Sequence, residues 1–149
     1  MKQISGGVTA AKGFCAASTA AGIKYKDRKD MALIFSKTPC KAAGTFTTNI
    51  VKAAPVKWDQ KIVAESACAH AVVVNAGIAN ACTGQEGMDY CSQTADHAAE
   101  LLKIPADSVL VASTGVIGMQ LPMECIKDGV SAICLLYTSP SPRDRSLSR

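Results

Sequence analysis

Hydrophobic residues fall into short runs along this chain, and several of these runs predict buried strands. Val109–Ala112 is continuously apolar and follows a predicted turn at Ile104–Asp107. Ala69–Val74 is a second strong strand candidate, and Met31–Phe35 is a third. Residues 6–60 are predicted to consist mainly of short strands, because glycines and prolines interrupt every apolar run there.

Other segments have the spacing of helices. Met88–Lys103 is the strongest, with its apolar residues three or four positions apart, while Asp59–Ser66 and Met123–Val130 predict shorter helices. Ala53–Val56 is predicted to be extended, because Pro55 disfavours helical backbone at the residue before it. The order, β-rich and then β–α–β–α, predicts one α/β or α+β domain with a mixed sheet packed with helices.

Composition supports a single folded domain and argues against a nucleic-acid-binding protein. The 149 residues are 48% hydrophobic and 19% charged, which is typical of globular proteins, and the net charge is only +4. Aromatic residues make up 5%, so we expect a core of closely packed small aliphatic side chains. The densest basic cluster has no interleaved aromatic series and is predicted to be a solvated turn. Its members are Lys24, Lys26, Arg28 and Lys29.

Cysteine usage predicts reduced thiols and no metal site. The seven cysteines contain no C-x-x-C pair, and neither His70 nor His97 completes a familiar ligand spacing. No apolar signal segment follows Met1, and no apolar run approaches the roughly 20 residues that span a bilayer. We therefore expect a cytoplasmic protein that binds neither nucleic acid nor membrane.

The composition changes abruptly at Cys134. Residues 134–144 contain a Ser-Pro repeat and resemble the translation of a transposase adapter used in short-read sequencing libraries. We therefore predict that residues 1–133 are native and that 134–149 are adapter read-through, the alternative being a disordered tail or linker.

The polar residues after the predicted strand Val109–Ala112 are the first candidates for chemistry. Ser113 and Thr114 place two hydroxyls at a strand end, and Gly115 leaves a backbone N–H unobstructed. Such a turn suits an anion, either a phosphate or the oxyanion of an acyl-transfer intermediate. A purely structural turn explains the same residues. Phosphate-binding glycine motifs are absent from the sequence, which leaves the oxyanion as the functional interpretation.

A second polar loop follows the predicted strand Ala69–Val74. Asn75, Asn80 and Thr83 supply amide and hydroxyl groups, and both loops are expected to line one edge of the sheet. Capping of the helix that follows is the structural alternative. The two histidines, His70 and His97, are expected to be structural or solvent-exposed, because neither has the setting of a catalytic base.

Five ordered motifs between Gly6 and Gly129 resemble the N-terminal part of the ornithine acetyltransferases, the bifunctional glutamate N-acetyltransferases of arginine biosynthesis. The motifs are Gly7–Phe14, Ala42–Asn49, Val51–Val56, Asn75–Gly84 and Ala112–Gly118. Because that family is two to three times longer, the resemblance implies that this chain is an N-terminal fragment.

The resemblance also implies a mechanism. In the family, a precursor cleaves itself before a threonine, which becomes the N-terminal nucleophile of a second chain. That threonine takes an acetyl group from N-acetylornithine and passes it to glutamate. By similarity, Thr114 and Gly115 form the oxyanion hole of each step. The nucleophile and the substrate-binding residues are expected beyond this chain, so Thr138 is not the nucleophile and the fragment alone is expected to be inactive.

The expected partners are N-acetylornithine, glutamate and the missing second chain, in a hetero-oligomer of cleaved chains. No cofactor is expected, although some family members use acetyl-CoA as a substrate. Two alternatives stay open at this point. One is a related self-cleaving amidohydrolase or aminopeptidase, and the other is a binding module without chemistry.

Overall fold

The computed structural model describes residues 7–66 and 68–138, which form four strands and three α-helices. Two single 3-10 turns, at Val8–Ala10 and Ala106–Ser108, complete the regular structure of these ranges. In chain order the main elements are β1 (Phe14–Thr19), β2 (Met31–Cys40), α1 (Ala54–Glu65), β3 (Ala69–Asn75), α2 (Gly84–Leu102), β4 (Val109–Ser113) and α3 (Met123–Thr138).

The strands form one mixed sheet in the order β1-β2-β3-β4. β2 is antiparallel to both β1 and β3, whereas β4 is parallel to β3. A parallel pair needs a crossover connection, which α2 supplies. This α+β architecture agrees with the predicted mixed sheet packed with helices.

The core lies between one face of the sheet and the helices α2 and α3. Burial alternates strictly along β3, so that Ala71 and Val73 face the core while Val72 and Val74 stay half-buried on the opposite face. Small residues of α2, including Ala95 and Ala98, allow the helix to lie close to the sheet. The expectation of a core rich in small aliphatic residues is confirmed.

Helix α1 covers the outer edge of β4, which has no neighbouring strand in the described sheet. The Trp58 indole N–H donates to the carbonyl oxygen of Val109 at 3.0 Å. The Asp59 carboxylate accepts the backbone N–H of Val111 at 2.9 Å. These side chains form hydrogen bonds with backbone groups at the edge of β4 that would otherwise be free to pair with another strand.

Two predictions in the first half of the chain were wrong. Of the segment predicted to be extended, Ala53–Val56, only Ala53 is, because α1 begins at Ala54 with Pro55 in its first turn. A proline is tolerated there, since the N–H that it lacks has no partner within the helix at that position. Residues 41–53 contain no strand, so residues 7–60 supply only β1 and β2.

The last helix is longer than predicted. α3 continues from Met123 to Thr138 and crosses the predicted junction between residues 133 and 134. Val130, Ile133 and Cys134 are buried at helical spacing, so the apolar pattern does continue past the composition change. The boundary between native residues and read-through stays a prediction.

Candidate functional site

The two polar loops lie side by side at the carboxyl ends of the parallel strands. Asn75 at the end of β3 is paired with Ser113 at the end of β4, and the pairing resumes at an isolated bridge between Ile78 and Val116. The Val116 N–H donates to the Gly77 carbonyl at 3.0 Å, which closes the bridge. The prediction that both loops line one edge of the sheet is confirmed.

The turn between β4 and this bridge holds Thr114 and Gly115, the predicted oxyanion residues. The Thr114 N–H donates to the Asn75 carbonyl at 3.0 Å and fixes the start of the turn. Both residues are exposed. Within residues 7–66 and 68–138, neither the Thr114 hydroxyl nor the Gly115 N–H has a hydrogen-bond partner. Two free donors on consecutive residues of an anchored turn are suited to a developing negative charge.

Backbone geometry explains why residue 115 is a glycine. Its φ angle of +136° lies in a region that side chains rarely adopt. An added Cβ would overlap the carbonyl group of Gly77 and lie 2.6 Å from the nitrogen of Ile78. The two loops can approach this closely only because Gly115 has no side chain.

The other polar residues of the loops support the turn. The Asn80 N–H donates to the Ser113 hydroxyl at 2.9 Å, so Ser113 is engaged while Thr114 is not. The buried Asn80 amide donates to the Gly87 carbonyl of α2 at 2.8 Å and accepts the Thr83 hydroxyl at 2.6 Å. Asn80 and Thr83 therefore have structural roles, but the predicted capping is wrong, because no side chain caps the N-terminus of α2.

The histidines also make structural contacts. One ring nitrogen of His70 lies 3.1 Å from the carbonyl oxygen of Ser36, and one of His97 lies 2.8 Å from the Ser131 hydroxyl. No cluster of three potential metal ligands occurs in the described ranges. None of the helices described is long and apolar enough to cross a membrane.

Burial perturbs two titratable groups on the helix side of β4. Desolvation raises the pKa of Asp59 from 3.8 to about 6, although the hydrogen bond from Val111 opposes this. Desolvation, together with the nearby Asp59 charge, raises the pKa of the Cys91 thiol to about 12. Cys91 is therefore a protonated core residue and not a nucleophile.

The sequence analysis missed a basic cleft beside the turn. A cavity of about 260 Å³ is lined by Gly77 and Gly115 together with Lys24, Arg28 and Lys29. These cations belong to the cluster that was predicted to be a solvated turn. The residues are exposed, as predicted, but the fold brings their loop against Gly77, whose added Cβ would lie 3.1 Å from the Lys24 Cβ. No local pattern signals this juxtaposition.

Comparison with known proteins connects this geometry to a family. The ArgJ family model matches residues 15–142. Proteins called arginine biosynthesis bifunctional protein ArgJ, from Thermotoga neapolitana and Gloeobacter violaceus, are each 50% identical to the chain, over 133 and 130 residues. These alignments cover 88% and 87% of this chain but 33% and 32% of the relatives. The chain thus spans about a third of their length.

Solved structures show the same fold. The crystal structure of ArgJ from Bacillus halodurans matches with a TM-score of 0.80 and 44% identity, over 84% of this chain and 65% of that chain. Ornithine acetyltransferase from Mycobacterium tuberculosis, crystallised with ornithine, matches with a TM-score of 0.82 and 44% identity, over 87% and 69% of the two chains. The family match covers most of the sequence, and the fold agrees over 84% and 87% of the chain, so the chain belongs to the ArgJ family.

Proposed function

We propose that this chain supplies the oxyanion-stabilising part of an acetyltransferase of arginine biosynthesis. The enzyme moves an acetyl group from N-acetylornithine to glutamate. The observation that carries the proposal is the Thr114–Gly115 turn, with two free donors anchored at the ends of parallel strands. Membership of the ArgJ family supports the reaction class.

The proposed chemistry proceeds through an acetyl-threonine. The hydroxyl of an N-terminal threonine, on a segment outside this chain, attacks the acetyl carbonyl of N-acetylornithine while its own amine takes up the proton. The carbonyl oxygen becomes an oxyanion, which accepts hydrogen bonds from the Thr114 hydroxyl and the Gly115 N–H. The C–N bond then breaks and ornithine leaves with the proton on its amine. Glutamate attacks the acetyl-threonine in the reverse sense, through a second oxyanion at the same donors.

We propose that the rest of the precursor packs against the surface around the turn. Val116, Ile117 and Met119 are 40%, 61% and 49% exposed, which is unusual for large apolar residues clustered next to a site. The second face of the sheet also carries half-buried apolar residues such as Val72 and Leu110. Burial of both surfaces by a second chain explains why they carry apolar residues.

The test is a hydroxyl deletion in the full-length protein that contains this segment. We expect Thr114→Ala to lower the rate of transfer from N-acetylornithine to glutamate by about 10²–10³, the usual effect of removing one oxyanion donor. Thr114→Ser keeps the hydroxyl and is the matched control. Because the side chain is exposed and makes no hydrogen bond among the described residues, both variants should fold normally.

Product analysis accompanies the rate measurement. Formation of N-acetylglutamate supports transfer, whereas release of acetate would indicate a hydrolase. Wild-type turnover in Thr114→Ala would show that the turn does not stabilise the transition state.

A further inference from the structure

Asn75 forms hydrogen bonds to both polar loops at the point where they meet. It is the last residue of β3, where it pairs with Ser113 of β4, and it is only 5% exposed. Its main-chain carbonyl accepts the Thr114 N–H at 3.0 Å. Its side-chain amide donates to the Ile78 carbonyl at 2.9 Å. One buried residue therefore fixes the start of the proposed oxyanion turn and, through its side chain, the loop that lies beside the turn.

The segment held by the Asn75 amide is the surface against which the turn packs. A Cβ added to Gly115 would lie 2.6 Å from the Ile78 nitrogen, so the two backbones are in direct contact. On the far side of this contact, the Val116 N–H donates to the Gly77 carbonyl at 3.0 Å. A shift of the Ile78 peptide would therefore move the Gly115 N–H, because close-packed groups leave no space to absorb the shift.

The Asn75 amide is the stronger of the two side-chain donors that reach the Ile78 carbonyl among the described residues. The Ser113 hydroxyl also donates to this oxygen, but at 3.4 Å, whereas hydroxyl hydrogen bonds are typically about 2.7 Å long. The same hydroxyl accepts the Asn80 N–H at 2.9 Å. Loss of the Asn75 amide would thus leave the carbonyl of the buried Ile78 with one weak partner among these residues.

We propose that Asn75 is a positioning residue for acetyl transfer, whose side chain sets the place of the Thr114 and Gly115 donors from a buried position. The inference rests on the proposed function, which assigns the developing oxyanion to those donors. A displacement of about 1 Å near a reacting centre can cost about a hundredfold in rate. Because the donors act on the transition state, their displacement should lower kcat and leave KM nearly unchanged.

The first test removes the amide in the full-length protein. We expect Asn75→Ala to lower kcat for transfer from N-acetylornithine to glutamate by about tenfold to a hundredfold, with KM within twofold. Ser108→Ala is the matched control, because it removes another buried donor to a main-chain carbonyl, that of Pro105 at 2.6 Å, next to the opposite end of β4. Both variants should lose stability, but Ser108→Ala should keep the wild-type kcat. An equal fall of kcat in the two variants would reduce Asn75 to a structural residue.

Asn75→Asp separates positioning from general stability, because it makes the donor dependent on pH. The introduced carboxyl can donate to the Ile78 carbonyl when it is protonated, and it repels that oxygen when it is ionised. Burial raises the pKa of such a carboxyl above its ordinary value of about 4. Asp30 is a charged residue bonded to the same loop, through its main-chain oxygen and the Ala76 N–H at 2.8 Å, and it is present in wild type and variant alike.

We therefore expect the ratio of variant to wild-type kcat to fall by about tenfold or more between pH 5.5 and pH 8.5. Circular dichroism at each pH checks that both proteins stay folded. A ratio that does not change with pH overturns the proposal, since a purely structural defect would lower kcat equally at every pH at which the variant is folded.

A double substitution links Asn75 to the turn. In a Thr114→Ala background, Asn75→Ala should cost at least about threefold less than in the wild type, because one of the donors that it positions is gone. Equal costs in both backgrounds would mean that Asn75 acts independently of the turn and would reject the inference. Wild-type kcat in Thr114→Ala alone would refute the proposed function instead. A slow Thr114→Ala variant beside a fully active Asn75→Ala variant would refute only the role of Asn75.

Discussion

Asp59 makes the stability of this chain dependent on pH in a direction that is unusual for a carboxylate. Its pKa is raised from 3.8 to about 6 in the fold, mainly by burial. Between these values the folded chain binds more protons at this site than the unfolded chain does, so stability falls as pH rises from about 4 to 6. Asp59→Asn keeps the size of the side chain and an acceptor for the Val111 N–H, but it cannot ionise.

The size of the effect follows from the pKa difference. One pH unit is worth about 1.4 kcal/mol, which sets an upper bound of about 3 kcal/mol for the ionisation of Asp59. Since the side chain is only half-buried, solvent screening reduces this to about 1–2 kcal/mol. We therefore expect Asp59→Asn to match the wild type near pH 3.5 and to exceed its free energy of unfolding by about 1–2 kcal/mol near pH 7.5.

Urea denaturation at both pH values measures this difference, with the fluorescence of Trp58, the single tryptophan of the chain, as the signal. Circular dichroism provides a second probe. Asp59→Ala is the contrasting variant, because it leaves the Val111 N–H without its acceptor and should lose about 1–3 kcal/mol at either pH. A stability difference between Asp59→Asn and the wild type that does not change with pH would refute the reasoning.

Two further predictions concern packing around the site. Gly115→Ala should destabilise the chain by about 3 kcal/mol, because the new methyl group meets the Gly77 carbonyl. Gly118→Ala should cost only about 1 kcal/mol, since nothing lies within 4 Å of its added Cβ. Equal losses of stability in thermal or urea unfolding would contradict this explanation. Iodoacetamide should label the exposed Cys82 in the native chain and should modify the buried Cys91 only after unfolding. Peptide mass spectrometry distinguishes the two sites, and labelling of Cys91 in the native chain would disprove the prediction.

Local sequence signals were sufficient to locate the turn but not its surroundings. The strand Val109–Ser113 and the glycine after it are evident from an apolar run that ends in hydroxyls, and the five motifs indicated the family. The start of α1 was missed because Pro55 is compatible with both an extended segment and a first helical turn. Where α3 ends depends on whether Ile133 and Cys134 contact the core, which is a tertiary property.

In the candidate site too, the sequence indicated neighbours along the chain but not contacts between distant segments. Thr114 and Gly115 are adjacent in sequence, so their joint role could be proposed from the sequence. Lys24 and Arg28 are far from them along the chain, and only the packing of their loop against Gly77 brings them to Gly115. A basic cluster is ordinarily solvated, and the sequence does not show which part of the fold it lies against, so composition alone could not identify the cleft.

The covering of β4 by α1 determines where a larger protein can add to this sheet. Trp58 and Asp59 already bond Val109 and Val111, so a further strand could pair there only after α1 had moved aside. β1, at the opposite end of the strand order, pairs only with β2 among the described strands. Growth of the sheet is therefore directed towards β1, and the turn beside β4 remains at an edge that no further strand can cover while α1 stays in place.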